Sequence, residues 1–314
     1  MCRSAMGHPP WLVVRGYGSH IRSTKSELIV QKGGTMERYP LGSVHHLLVI
    51  GGHNLHTAAI TALLRAGGSI SFFDADGMPA GMLHPYGARP GEEIRAAQES
   101  TPQRRYAIAI ATATMRVRTM LVEQMAEVEY PGLLFEEESI LLHQYLQEME
   151  NLVRMEEVRR LYKLASDMYY EIIARTVPPD LGFRRRTERP HRDPVNAMLS
   201  LGYAVLFGAC ALSVTGAHLD PDLGALHEGA AGLVHDIAES FKPGMVDTVV
   251  FPMVQRGLDP SLYECTEKRC HLDNELTGAL IEALHQSIQQ DKIDRYVCSY
   301  TDSLLKNSPF QVMY

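Results

Sequence analysis

Pro85-Tyr86-Gly87-Ala88-Arg89-Pro90-Gly91, followed by a charged run that closes at Thr101-Pro102, divides the sequence into two styles of chain. Proline fixes φ and withholds a donor, and glycine enters turns without steric cost, so such a stretch marks a boundary. Upstream, the apolar runs Trp11 to Val14, Ser26 to Val30, Leu47 to Ile50 and Ser69 to Phe73 alternate with Gly16, Gly18, Gly33-Gly34 and Gly51-Gly52. That punctuation predicts a strand-rich region. One helix interrupts it, with Asn54 as N-cap, Leu55, Ala59, Ala62 and Leu63 at helical spacing, and Gly67 as the stop. Asp76-Gly77 reads as a hairpin turn. Downstream, Tyr106 to Met125, Leu133 to Met149 and Met155 to Thr176 lack Gly and Pro and repeat apolar residues every three or four positions. Further helices are predicted from Pro194 towards Val214, over Val234 to Phe241 and over Glu275 to Gln289. The expected fold class is α+β, with a small N-terminal β-rich domain over residues 1–87 and a larger all-helical C-terminal domain over residues 88–314.

Composition narrows the class. Of 314 residues, 45% are hydrophobic and 21% charged, and no run of consecutive apolar residues approaches bilayer length, so no membrane partner is expected. Met1 to Pro10 lacks an apolar signal core, which predicts a cytoplasmic location. Five scattered cysteines, Cys2, Cys210, Cys265, Cys270 and Cys298, fit a reduced compartment better than a disulfide framework. The net charge of -7 excludes a protein that coats nucleic acid through overall charge, so any DNA contact must be local. One basic patch exists, Arg184, Arg185, Arg186, Arg189 and Arg192. It reads either as a solvated loop or as a phosphate-binding segment, since guanidinium groups match phosphate oxygens.

The chemistry-bearing stretch is Leu226-His227-Glu228-Gly229 with His235-Asp236-Ile237-Ala238-Glu239. On a helix Asp236 and Glu239 are three apart and share a face, and His227 precedes them across a glycine-rich turn. Carboxylate oxygens with one imidazole suit a hard divalent cation; a solvated helix face is the bland alternative. Cys265, Cys270 and His271 do not have zinc-ligand spacing and read as incidental. Gly51-Gly52 lacks the Lys-Ser/Thr of a phosphate loop and reads as a strand-to-helix turn. Met168, Tyr169, Ile172 and Ile173 read as helix packing.

Taken together these motifs resemble the CRISPR-associated spacer-acquisition integrases of the "Cas one" family. The resemblance is carried by Pro40-Leu41, by the block from Gly51 to Ala59, and by Ser71-Phe72-Phe73-Asp74-Ala75-Asp76-Gly77 in the first domain. In the second it is carried by Asp193-Pro194-Val195-Asn196-Ala197-Met198-Leu199-Ser200, by Leu219-Asp220-Pro221 leading to Leu226-His227, and by Asp236-Ile237-Ala238-Glu239-Ser240-Phe241-Lys242-Pro243. Order and spacing hold from about Trp11 onward. The implied fold is the same β-rich domain followed by a helical one.

The resemblance implies a metal-dependent DNA endonuclease and integrase of CRISPR adaptation. In that chemistry the 3′-hydroxyl of a spacer precursor attacks a phosphodiester of the CRISPR repeat, with Mn2+ or Mg2+ as cofactor. It implies His227 and Glu239 as metal ligands and catalytic residues, with Asp236 as an acidic companion. It also implies a homodimer and a small ferredoxin-like CRISPR-associated partner subunit. The family's third ligand is a glutamate seven residues before an aromatic pair. Registering Tyr169-Tyr170 on that pair puts Tyr162 in the glutamate position and Lys163 where the family has glycine. Glu157 and Asp167, five residues to either side, are rotated roughly 140° from Tyr162 and cannot substitute. A neutral phenol supplies no charge at neutral pH, so the alternative is a catalytically weakened DNA-binding scaffold of the same assembly.

Overall fold

This computed structural model describes residues 10–74, 79–306 and 308–313. The chain forms a strand-rich N-terminal part followed by a mostly helical one, and it divides into two compact units. The first runs to Thr101 and also takes in Ala211–Asp220 and Asp294–Pro309 from later in the chain. Its strands are β1 (Trp11–Arg15), β2 (His20–Ser23), β3 (Glu27–Lys32), β4 (Thr35–Pro40), β5 (His46–Ile50), β6 (Asn54–Leu55), β7 (Ser69–Phe73) and β8 (Pro79–Leu83); α1 (Thr57–Arg65) precedes β7, and α2 (Glu92–Ser100) follows β8.

Two four-stranded sheets result. The order β1-β5-β7-β8 is parallel except for the β7/β8 pair, and the order β4-β3-β2-β6 is antiparallel except for β2/β6. β5 is buried along its whole length, which explains why Leu47-Leu48-Val49-Ile50 shows no polar alternation. Val14, Leu47, Val49 and Ile70 of one sheet, Ile21, Leu28 and Val30 of the other, and Ala59 with Leu63 of α1 form one core. Asn54 does not cap α1 as its sequence position suggests. Its N–H donates to Ser19 O and it pairs with His20 in β6, so α1 starts three residues later. The Asp76-Gly77 turn and Cys2 lie outside the described residues.

The second unit contains α3 (Arg104–Val128), α4 (Glu136–Met149), α5 (Met155–Ala174), most of α6 (Pro194–Gly216), α7 (Gly232–Lys242), α8 (Thr248–Gln255), β9 (Tyr263–Cys265), β10 (Cys270–Leu272), α9 (Asn274–Ser287) and the start of α10 (Gln290–Lys306). α6 is long and apolar enough by mean composition to cross a membrane, although Asn196, Ser200 and Ser213 interrupt its apolar residues. The apolarity serves packing: Val195, Met198, Leu199 and Leu206 are completely buried, as in a helix that is the core of its unit. The helix predicted to close at Phe241 does not end the helical path. Pro243–Asp247 forms a wide π-type turn that leads straight into α8, with Pro243, which has no N–H to give the helical ladder, at its first position. Cys265 and Cys270 face each other in the β9/β10 register and form a disulfide, which corrects the expectation of incidental thiols; Cys210 and Cys298 are buried.

Gly51 follows β5 with φ +90°, and a Cβ there would lie 2.3 Å from Gly16 O. Gly34, in the β3/β4 turn at φ +86°, has open space where its Cβ would be. Gly51→Ala is therefore expected to lose about 2–4 kcal/mol, from left-handed strain and a backbone clash together, and Gly34→Ala only about 1 kcal/mol. Urea denaturation midpoints compare the two; equal losses would show that the Gly16–Gly51 approach is not a fixed constraint.

Candidate functional site

The loop before α7 is closed on itself by glycine. A Cβ on Gly224 would lie 2.3 Å from His227 O, and one on Gly232 would lie 2.5 Å from the same oxygen. Asp236, completely buried in the second turn of α7, locks this loop. Its carboxylate accepts the backbone N–H groups of Ala225, Leu226 (3.0 Å) and His227 (2.9 Å), and meets His227 Nδ1 at 2.8 Å. A buried carboxylate needs such donors, and these use both of its oxygens. An acceptor at Nδ1 fixes the proton there, so Nε2 is presented to the cleft, 3.6 Å from Glu239 Oε1. Asp236 and Glu239 thus bracket the imidazole and do not point at one spot.

Glu239, 4% exposed, already has positively charged neighbours on both oxygens. Oε1 accepts from Lys242 Nζ; Oε2 accepts from the Tyr162 hydroxyl and lies 3.6 Å from Arg118 Nη2. Arg118, from the middle of α3, is enclosed by α5. Nη1 donates to Ser166 Oγ at 2.6 Å and to Tyr162 Oη at 3.3 Å, and Nη2 donates to Tyr170 Oη at 3.4 Å. Its guanidinium carbon lies 5.7, 5.3 and 5.4 Å from the ring centroids of Tyr162, Tyr169 and Tyr170. The network continues through Tyr170 and Tyr203, whose hydroxyls are 2.7 Å apart, to Asp247, which accepts from Tyr203 and from Tyr169 (2.9 Å).

Electrostatics follow from this enclosure. Burial pushes Glu239 upward, but Lys242, Arg118 and His227 outweigh it and hold the carboxyl at about 2. Burial, reinforced by the Glu239 charge, drives the Tyr162 phenol well above its ordinary value against the opposite pull of Arg118. Asp247 is raised, chiefly by burial. Tyr162 is therefore a hydrogen-bond donor at neutral pH and offers no negative charge.

A cleft of about 400 Å³ opens over these groups, with Arg118, Arg159, Lys163, Arg186 and Lys242 on its walls against the carboxylates Asp167 and Glu239. Of the basic patch singled out in the sequence, Arg184, Arg185, Arg189 and Arg192 are exposed, whereas Arg186 is half-buried and turned into the cleft. The divalent ion implied by the resemblance does not fit what is assembled here. Among the described residues no three His, Cys, Asp or Glu side chains are grouped as metal ligands. His227 and Glu239 supply one imidazole and one carboxylate, the third neighbour is a protonated phenol, and the carboxylate already carries an ammonium. Sequence reading missed Arg118, Lys242, Tyr170, Tyr203 and Asp247. Arg118 had a signal: it falls in the four-residue series Tyr106, Ile110, Thr114, Arg118, Val122, all buried on one stripe of α3.

Because the Glu239 pKa is depressed on folding from 4.5 to about 2, its contribution is fully present above pH 4.5 and is lost as pH falls towards 2. Linkage puts that contribution at about 3 kcal/mol. Asp247, raised, acts with the opposite sign. In urea titrations between pH 6 and 2.5, native protein is expected to lose stability more steeply than Glu239→Gln; parallel curves would show that Glu239 is not held as an ion.

Known proteins share this architecture. The family model "CRISPR associated protein Cas1" matches residues 12–286. A putative CRISPR-associated endonuclease Cas1 of Methanospirillum hungatei is 38% identical over 95% of this chain and 99% of its own length. A CRISPR-associated endonuclease Cas1 of Thermus thermophilus is 31% identical over 86% of this chain and 84% of its own. In fold, the chain is similar to a casposase bound to integration product, with a TM-score of 0.80 at 18% identity over 95% and 96% of the two chains. It is also similar to a Cas1 protein from Thermotoga maritima, with a TM-score of 0.62 at 19% identity over 96% and 99%. By the family match and by relatives aligned over nearly its whole length, this chain belongs to the CRISPR-associated Cas1 family.

Proposed function

We propose that this protein serves CRISPR adaptation as a DNA-handling Cas1 subunit. It would capture spacer-precursor and repeat DNA as a homodimer bridged by a small ferredoxin-like partner, and act in the cytoplasm. Its relatives are endonucleases by name, and the reaction served is joining of a 3′-hydroxyl to a phosphodiester of the array. The observation that carries the reading is a cleft in which cations outnumber carboxylates, in a chain whose net charge is -7. A cleft with an excess of one sign of charge concentrates its field, so a polyanion is drawn to this spot and not to the surface at large. The DNA-binding scaffold reading is favoured over a self-sufficient Mn2+- or Mg2+-dependent nuclease by one contact: the Tyr162 hydroxyl donates its hydrogen to Glu239, where a metal site would need another anionic ligand oxygen. In this reading Tyr162 occupies the family's glutamate position, His227 and Glu239 are what remains of the ligand set, and Asp236 is a positioning residue that holds the imidazole.

Manganese-dependent nicking and strand transfer on branched DNA test this reading. Native protein is expected to show little of either, and Tyr162→Glu combined with Lys163→Gly to raise both at least tenfold, since cation affinity rises with ligand charge. Full activity in native protein that is abolished by His227→Ala or Glu239→Ala would establish the metal-dependent nuclease instead.

The exposed arginines supply a separate prediction. Replacing Arg184, Arg185, Arg189 and Arg192 with Ala, while leaving Arg186 in place, is expected to weaken DNA binding. It is also expected to reduce the salt slope by about one unit for each phosphate that is no longer neutralised. An unchanged slope would show that this part of the loop is only solvated.

A further inference from the structure

Two cations of the cleft reach the same aromatic ring. Lys242 Nζ lies 5.0 Å and Arg186 Cζ 5.3 Å from the centroid of Tyr203. Cations are attracted to a ring face, but two of them brought to one ring repel each other, and in a partly buried cleft that repulsion is weakly screened. Only one of the two is matched locally. Lys242 is paired with Glu239, whereas the hydrogen bonds of Arg186 go to neutral oxygens: Asn196 O at 3.1 Å, Asn196 Oδ1 at 2.6 Å and Ser200 Oγ at 2.5 Å. Those bonds fix the guanidinium plane without cancelling its charge. The other cations are already committed. Arg159 is paired with Glu228 and Lys163 with Asp167, and Arg118 is buried beside Glu239 among the tyrosine hydroxyls.

We propose that this cleft seats a single DNA phosphodiester directly on Lys242 and Arg186, with no divalent ion between protein and phosphate. The proposal rests on the DNA-binding reading above and specifies its ligand and its electrostatics. A phosphodiester carries one negative charge, which answers Arg186, the half-buried cation whose hydrogen-bond partners are all neutral. Its two non-bridging oxygens can be shared between an ammonium and a planar guanidinium, the pairing these side chains make best. The charge that a divalent ion would bring to Glu239 is supplied by Lys242, and Tyr162 donates to the other carboxylate oxygen. The centre is thereby filled from within the chain.

Binding of fluorescein-labelled branched DNA, followed by anisotropy over a salt series in EDTA and again in manganese, tests this. Calorimetric titration of the protein with manganese alone runs alongside. Native protein is expected to bind DNA with the same affinity in both buffers, within about twofold, and to take up no manganese at millimolar concentration. Lys242→Gln and Arg186→Gln are each expected to lose roughly tenfold in affinity in EDTA and about one unit of salt slope, while Lys242→Arg and Arg186→Lys keep most of both. DNA binding that requires manganese, or folded glutamine variants with native affinity, would overturn the metal-free seat while leaving the DNA-binding reading intact. Absence of DNA binding in either buffer would instead remove that reading. Circular dichroism verifies that each variant folds. Should a glutamine variant fail to fold, the comparison of native protein in EDTA and manganese still decides the matter.

Discussion

A single guanidinium organises the helical unit. Arg118 is enclosed on α3, and the groups around it come from different parts of the chain: Tyr162, Ser166 and Tyr170 from α5, Glu239 from α7, and, through the tyrosine hydroxyls, Asp247 from the turn before α8. Taking a charge out of water costs several kcal/mol, so this arrangement survives only because carboxylates and polarised hydroxyls surround it. Burial alone would lower the Arg118 pKa, and its surroundings, with the carboxylates of Glu239 and Asp247 among them, more than reverse that. Removing any one partner leaves another buried polar group unmatched, which couples positions far apart in sequence. The helices are therefore fixed against one another by polar geometry as well as by apolar packing.

From that constraint the orientation of the cleft follows. Glu239 is held as an ion by cations on both sides, which sets the direction of Lys242; Asp236 fixes the imidazole of His227 one turn earlier on the same helix. Tyr203 hands its hydroxyl to Asp247 and so keeps its ring at the cleft, where Lys242 and Arg186 approach it. The net charge of the chain says nothing of this. A protein carrying -7 overall presents a local excess of positive charge because its acids are used internally or placed elsewhere.

Much of the fold was legible in the sequence, for reasons that can be named. The α3, α4 and α5 segments show helical periodicity without breakers, and β5 and β7 stand out as apolar runs between glycines. What escaped was set by contacts distant in sequence. Asn54 is a good capping residue by type, yet strand pairing with β2 claims its backbone first. Pro243-Gly244 looks like a stop, yet proline at the start of a wide turn lets the helix go on. The α10 helix was passed over, and the disulfide depends on a register that spacing alone does not reveal. At the site, His227, Asp236 and Glu239 were found by their types and spacing. Their separate roles were not, because which carboxylate turns inward to the loop and which faces the cleft depends on the backbone N–H groups of Ala225, Leu226 and His227. Of the five arginines in the basic patch, only the structure distinguishes Arg186, through its bonds to Asn196 and Ser200.

The tyrosine at position 162 sets the character of the site through the hydrogen it donates. A small neutral residue there would leave Glu239 with an oxygen free to meet a cation from solvent, and a glutamate would add a second acceptor. Tyr162 does neither: burial keeps its phenol protonated, so it points a donor into the carboxylate and shares that oxygen with Arg118. A divalent ion entering between His227 and Glu239 would have to displace Lys242 from Oε1 and compete with two donors at Oε2, all in a pocket already carrying excess positive charge. Each of those costs grows as the local dielectric falls. The same features that disfavour a metal ion favour an anion, because the donors that neutralise Glu239 also raise the potential over the cleft. A donor at position 162, where a third carboxylate would draw a cation, thus biases this charged network towards an anion.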